Sequence, residues 1–214
     1  MIVQRSDRER LILAHFPWLF ALIDLLIVGL CVWFLVKTLV DGQEQPDFYA
    51  KLVGIPFILI FAAIFSYFGE ITRFDFDLVR RELTWSRRNL FRKRGGVIPF
   101  DQIQYAVVGT SGNCCRPELL VTHLGSIPLL GYHTSDEPNG NYSRRIAAIV
   151  NAALIVSSNS DREKEILERV LHGDWPTALE LAQKRYGFDA AAGKTFEKEL
   201  KKRIAFLKSG GAKT

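Results

Sequence analysis

Cysteine is scarce in this chain, three residues in 214, alongside one methionine and four histidines. Cys31 lies inside a long apolar run, and Cys114 and Cys115 are adjacent. No disulfide framework, C-x-x-C redox site or zinc knuckle can be drawn from that spacing. The adjacent pair reads as reduced thiols in a cytosolic turn, and nothing in the spacing requires His123 or His133 to join them. Catalytic signatures are missing as well. Gly95-Gly96 and Gly210-Gly211 lack the strand-to-helix context and the Lys-Ser/Thr ending of a phosphate loop. Neither a G-x-S-x-G elbow nor H-E-x-x-H occurs. The expectation is therefore a protein that is not an enzyme and carries no cofactor and no metal.

The net charge of +5 would suit a polyanion, yet no base-stacking motif accompanies it. Arginines instead crowd the flanks of an apolar segment, so nucleic acid is not an expected partner.

That apolar segment organises the chain. Residues 16–36 would span about 30 Å as a helix, the hydrocarbon thickness of a bilayer. Residues 52–68 would span about 25 Å, workable with Phe48, Tyr49 and Lys51 at the interface. The polar stretch from Asp41 to Asp47 joins them. The pattern predicts a two-helix transmembrane hairpin with loop 37–51. Before it, residues 1–15 carry Arg5, Arg8 and Arg10 and read as a basic tail with an amphipathic lead-in at headgroup level. The first run is longer than a signal-peptide core and no small-x-small site follows, so an uncleaved anchor is expected. The connection 41–51 holds only Lys51 as a base, whereas Arg73, Arg80, Arg81, Arg87, Arg88, Arg92, Lys93 and Arg94 follow the second run. The positive-inside rule then places both flanks in the cytosol and the loop 37–51 in the periplasm.

Asp24 falls within the first run and Ser66 within the second. An ionisable group in lipid is a functional-site hypothesis by default. One reading makes the chain an accessory subunit of a membrane enzyme or transporter that uses Asp24. The plainer reading is an aspartate that holds the two helices, or two copies of the chain, together, which makes a homo-oligomer a candidate assembly.

From Ile71 the period changes to two: Phe74, Phe76 and Leu78 alternate with Arg73, Asp75 and Asp77. Further short strands follow, with Gly95-Gly96 as punctuation, and predict an antiparallel sheet or barrel over residues 70–156. Tyr142, Ile146, Ile149, Val150 and Ala153 fall on one helical face and predict a helix that caps it. Asp75, Asp77 and Asp101 could be imagined around a metal, or as surface charges paired with nearby arginines. Arg87, Arg88, Arg92, Lys93 and Arg94 are expected in a hairpin loop close to the membrane. There they could hold phosphate-bearing lipid headgroups, each cation gaining about 1 kcal/mol beside an anionic leaflet. The topological charge bias of membrane proteins accounts for much of the same cluster.

The hydrophobic hairpin, Phe74-x-Phe-Asp-x-x-x-Arg-x-Leu-x-Trp85, the basic patch, Ile98-Pro-Phe-Asp-x-Ile103 and Ile127-Pro-Leu129 together resemble bacterial PH-like, membrane-flanked proteins over residues 16–156. The resemblance implies an α+β membrane protein of the bacterial inner membrane: a transmembrane hairpin, then a small PH-like β-barrel or sandwich with a capping helix. It implies a membrane-tethered scaffold that binds protein or lipid. Residues 160–208 read as a C-terminal helical region. Ser160 to Glu163 fits a capping box, one helix carries Ile166 and Val170, a second runs from about Pro176 to Tyr186 and ends at Gly187, and a third runs from about Ala190 to Leu207. Ala178 to Gly187 with Gly193-Lys194 is similar to the helical hairpin of the ribosomal stalk protein's C-terminal domain, which implies a partner-binding surface there. Residues 209–214 read as a disordered tail.

Overall fold

The computed structural model describes residues 2–6, 9–41, 54, 56–58, 60, 63, 69–89, 91–111, 114–130, 134–135, 141–157 and 161–210. Two compact units divide the chain: residues 1–14, 72–86 and 95–214 form the first, and residues 15–71 and 87–94 the second.

Strands β1 (Ile2–Ser6), β2 (Arg10–His15), β3 (Ile71–Asp77), β4 (Glu82–Arg88) and β5 (Lys93–Pro99) form one sheet in the order 1-2-3-4-5. Residues 2–6 and 10–15 are thus two strands of a sheet, and the expected lead-in at headgroup level is corrected. β1 and β2 pair antiparallel, Val3 opposite Leu13 and Ser6 opposite Leu11, and Leu11, Ile12 and Leu13 are buried. A second sheet holds β6 (Ile103–Ser111), β7 (Cys114–Val121) and β8 (Gly125–Pro128), with β9 (Thr134–Ser135) also paired to β7. Cys114 and Cys115 open a strand, paired with Ser111 and Thr110, and so are not in a turn.

The expected barrel is not formed: the two sheets are open. Pro99 lacks an N–H, and a 3-10 turn at Phe100–Gln102 swings the chain from one sheet to the other. On β6, where closure would require another strand, the buried Asn151 side chain takes the place. The Ala106 N–H donates to Asn151 Oδ1 (2.7 Å), and Asn151 Nδ2 donates to the Ala106 carbonyl (2.9 Å). A register irregularity between Ile103 and Tyr105 moves burial from odd to even positions, so Ala106, not Val107, faces the core.

Helix α2 (Asn141–Ser157) is a central layer and not a cap. Its Ile146, Ala147, Val150, Ala153 and Leu154 join Phe74, Phe76, Leu83, Phe100 and Leu119 from both sheets. Its Ala148, Ala152 and Ile155 pack with the last three helices, α3 (Asp161–Leu171), α4 (Trp175–Tyr186) and α5 (Ala190–Gly210). Both faces are therefore apolar, with small residues where helices approach closely.

Helix α4 begins and ends as the sequence suggests. Asp174 accepts from the Thr177 N–H, Pro176 sits in the first turn, and Gly187 closes the helix at φ 67°. At the head of α5, Asp189 accepts from the Ala192 N–H (2.8 Å) and pairs with Arg144 (2.8 Å). Burial raises the Asp189 carboxyl, but those two donors outweigh it and hold it below its ordinary value of 3.8. Glu163, expected in a capping box with Ser160, is buried instead. It pairs with Arg185 at 2.7 Å, while Arg185 lies over the Tyr105 ring (5.3 Å). Burial pushes the Tyr186 hydroxyl upward. Ser160 and residues 211–214 lie outside the described residues.

Helix α1 (Trp18–Asp41) belongs to the second unit and has 24 residues, about 36 Å of helix. Its stretch Ala21–Thr38 has a mean hydropathy of 2.1, and 11% of it is buried. Among the described residues it is the one helix long and apolar enough to cross a membrane. The expected two-helix hairpin is thereby corrected to one such helix. Of residues 52–68, helical backbone is described at Gly54, Pro56, Phe57, Ile58, Ile60 and Ala63. The rest of that run, Ser66 included, and loop residues 42–51 lie outside the described residues.

Candidate membrane-facing site

The site is built from α1 and the tip of the β4–β5 hairpin, both within the second unit. Leu22, Leu25, Leu26, Leu30, Val32 and Trp33 of α1 are each more than half exposed. Burial on this helix is confined to a narrow stripe. Cys31 and Thr38 are buried, Asp24 and Ile27 are half-buried, and the spacing puts all four on one side. Asp24 therefore lies on the covered side of α1, not among the exposed leucines. Before the helix, Phe16 and Trp18 meet edge to face at 4.6 Å, and Trp18 is 71% exposed. Towards its other end Lys37 sits over the Trp33 ring at 5.4 Å. Exposed aromatics and lysines near the ends of an apolar helix are the usual markers of a lipid–water boundary.

Within the sheet, the strand ends can be placed from pairing alone. The Leu78 N–H donates to the Glu9 carbonyl (2.8 Å), and Arg10 pairs with Asp77 (3.6 Å). The start of β2 therefore lies beside the end of β3, so these strands are antiparallel. Tight turns at 78–81 and 89–92 reverse the chain twice more. His15, Ile71, Arg88 and Lys93 are therefore the neighbouring strand ends of β2, β3, β4 and β5.

At the tip, the Asn89 N–H donates to the Arg92 carbonyl (2.9 Å), and Asn89 Oδ1 accepts from the Phe91 N–H (3.1 Å). The five basic residues singled out in the sequence do not behave alike. Arg87 is largely covered and pairs with Glu70 at 3.9 Å. Arg88, Arg92, Lys93 and Arg94 are exposed, and so is Phe91 at the apex, by 62%. No acidic residue occurs from 87 to 94. Phe91 was not picked out by sequence reasoning. Its signal was an aromatic in the middle of a basic turn.

Behind the tip, Gly95 and Gly96 lie within β5 and do not interrupt it. A Cβ on Gly95 would come within 2.8 Å of the Trp85 carbonyl oxygen, and one on Gly96 within 3.2 Å of the Trp85 indole nitrogen. Glycine is what lets the two strands close at this point.

Elsewhere, Asp75 and Asp77 flank Arg10 (4.0 and 3.6 Å), and Arg73 also reaches Asp75 (3.7 Å). Asp101 is exposed in the 3-10 turn. No group of three or more His, Cys, Asp or Glu able to hold a metal is found among the described residues. His123 occupies a turn at φ 67°, and His133 lies outside the described residues. The chain matches no protein-family model, no curated protein and no solved structure.

Proposed function

We propose that the chain is a membrane-tethered binding module, embedded through α1 and presenting its two-sheet, four-helix unit to the cytoplasmic face of a bacterial inner membrane. The observation that carries this reading is the exposed apolar surface of α1. Each large aliphatic side chain left in water forfeits about 1.5–3 kcal/mol that burial would return, and the leucines and valines named above are left so over several turns. In the first unit two internal clusters take up most of the large apolar side chains, and the exposed ones, such as Val79 and Leu124, stand singly rather than along one helix. The cations that follow the apolar segment in sequence, from Arg73 to Arg94, support the cytoplasmic orientation by the positive-inside rule. A binding or scaffolding role, and not catalysis, follows the sequence, in which no phosphate loop, G-x-S-x-G or H-E-x-x-H occurs. Helices α3 to α5 would offer the surface for a protein partner.

Fractionation of cells expressing the full chain tests the proposal. The protein should sediment with membranes, resist high-salt and alkaline washes, and enter solution with detergent. Recovery in the soluble fraction, monodisperse without detergent, would refute it.

A further inference from the structure

We infer that the β4–β5 tip is a second, lipid-selective contact: Phe91 enters the headgroup layer of an anionic bilayer while Arg88, Arg92, Lys93 and Arg94 engage lipid phosphates around it. This rests on α1 being embedded, and adds a choice of lipid that α1 alone does not make. A topological excess of positive charge would explain four exposed cations, but it asks for no aromatic at the apex of the turn. Here Phe91 is 62% exposed among the exposed Arg88, Arg92, Lys93 and Arg94, and its backbone N–H is fixed by Asn89 Oδ1. An amphipathic tip with an apolar apex and a cationic rim is the composition that suits a headgroup layer. Arginine's planar fork pairs two donors with two phosphate oxygens, whereas lysine acts as a point charge.

Placement supports the same occupant. The tip, residues 87–94, shares a compact unit with α1. Strands β4 and β5 close tightly at Trp85 and Gly95, so the tip is carried on a braced hairpin, with less ordering left for binding to impose. A nucleic acid would meet the same cations. However, residues 87–94 contain a single aromatic, which gives no run of stacking surfaces for successive bases.

The test uses the full chain in nanodiscs of phosphatidylcholine alone or with phosphatidylglycerol. Phe91→Cys, in a background of Cys31→Ala, Cys114→Ala and Cys115→Ala, carries an environment-sensitive fluorophore. A blue shift and quenching by doxyl-labelled lipid are expected only in the anionic discs. Both should be lost when Arg88, Arg92, Lys93 and Arg94 are changed to Ala. On the unsubstituted chain, amide exchange over residues 87–97 should slow in anionic discs only, which guards against a labelled variant that folds poorly. Incorporation with a water-exposed tip in both lipids would overturn this inference and leave the tether standing. So would quenching that survives loss of the four cations, or an equal blue shift produced by an RNA or DNA oligomer in place of lipid. Failure to enter either disc would overturn the tether and this contact with it.

Discussion

Asn151→Ala is the sharpest probe of the folded unit. Asn151 lies on α2, is 1% exposed, and holds both the N–H and the C=O of the fully buried Ala106. Truncation removes two hydrogen bonds and strands two backbone groups away from water. Each stranded group costs about 1–3 kcal/mol, and a void of a few atoms adds to that. The expected loss is about 3–4 kcal/mol, a few hundred-fold in the folding equilibrium. Asn151→Asp tests the direction of the pairing. Its carboxylate still accepts from the Ala106 N–H but cannot donate to the carbonyl, so it should be at least as damaging near neutral pH. Denaturant unfolding in detergent gives the magnitude, and amide exchange at Ala106 reports the local bond. A loss below about 1 kcal/mol with Ala106 protection intact would refute the idea that this side chain stands in for a strand.

Glu163→Gln should destabilise by about 2–4 kcal/mol, since Arg185 keeps its charge against Tyr105 and Tyr186 without the partner carboxylate; thermal unfolding measures it. At acid pH, Asp189 matters. Its folded-state carboxyl lies below the ordinary 3.8, so its contribution is full above 3.8 and is lost as pH falls through the lower, folded value. An acid titration of stability should therefore flatten in that window in Asp189→Asn. Gly95→Ala places a Cβ 2.8 Å from the Trp85 carbonyl oxygen and should cost about 1–3 kcal/mol, with a shifted Trp85 fluorescence; unchanged stability and emission would contradict the close approach.

Local rules carried the sequence a long way where burial was one-sided. Phe74 and Phe76 declare β3 through strict alternation, and Asp174, Pro176 and Gly187 bracket α4 because caps act over a few residues. Non-local facts were beyond that reach. The strand character of residues 2–6 and 10–15 was hidden by charges at Arg5, Arg8, Arg10, Asp7 and Glu9, which suggested a solvated tail. Nothing nearby announces that β2 will pair with β3 across more than fifty intervening residues. Asn151 and Glu163 were equally opaque, because a polar residue on a helix looks solvent-facing until its buried partner is known. Helix α2 was half legible: its stripe at Ile146, Val150 and Ala153 was visible, but Ala148 and Ala152 do not look like a second buried face. Their partners are Phe196, Leu200 and Ile204 on α5, so residues 160–208 share a core with the rest and are not an appendage. Deleting them would uncover Ile155 and its neighbours. Partner binding there is better probed by substituting exposed residues of α3 to α5.

At the candidate site, the basic cluster was legible as composition, whereas its division into a paired Arg87 and four exposed cations required the fold. The two-helix hairpin was inferred from hydropathy alone, and the described residues contain one helix that meets the criteria.

The central claim is that the exposed side of α1 faces lipid, and spin labels placed singly at Leu25, Leu30 and Val32 of the full chain in nanodiscs test it most directly. Collisions with oxygen should be frequent and collisions with a water-soluble nickel chelate rare at all three positions, as for a side chain among acyl tails. Ready access of the nickel reagent to these positions, with no dependence on lipid, would place α1 in water and remove the tether.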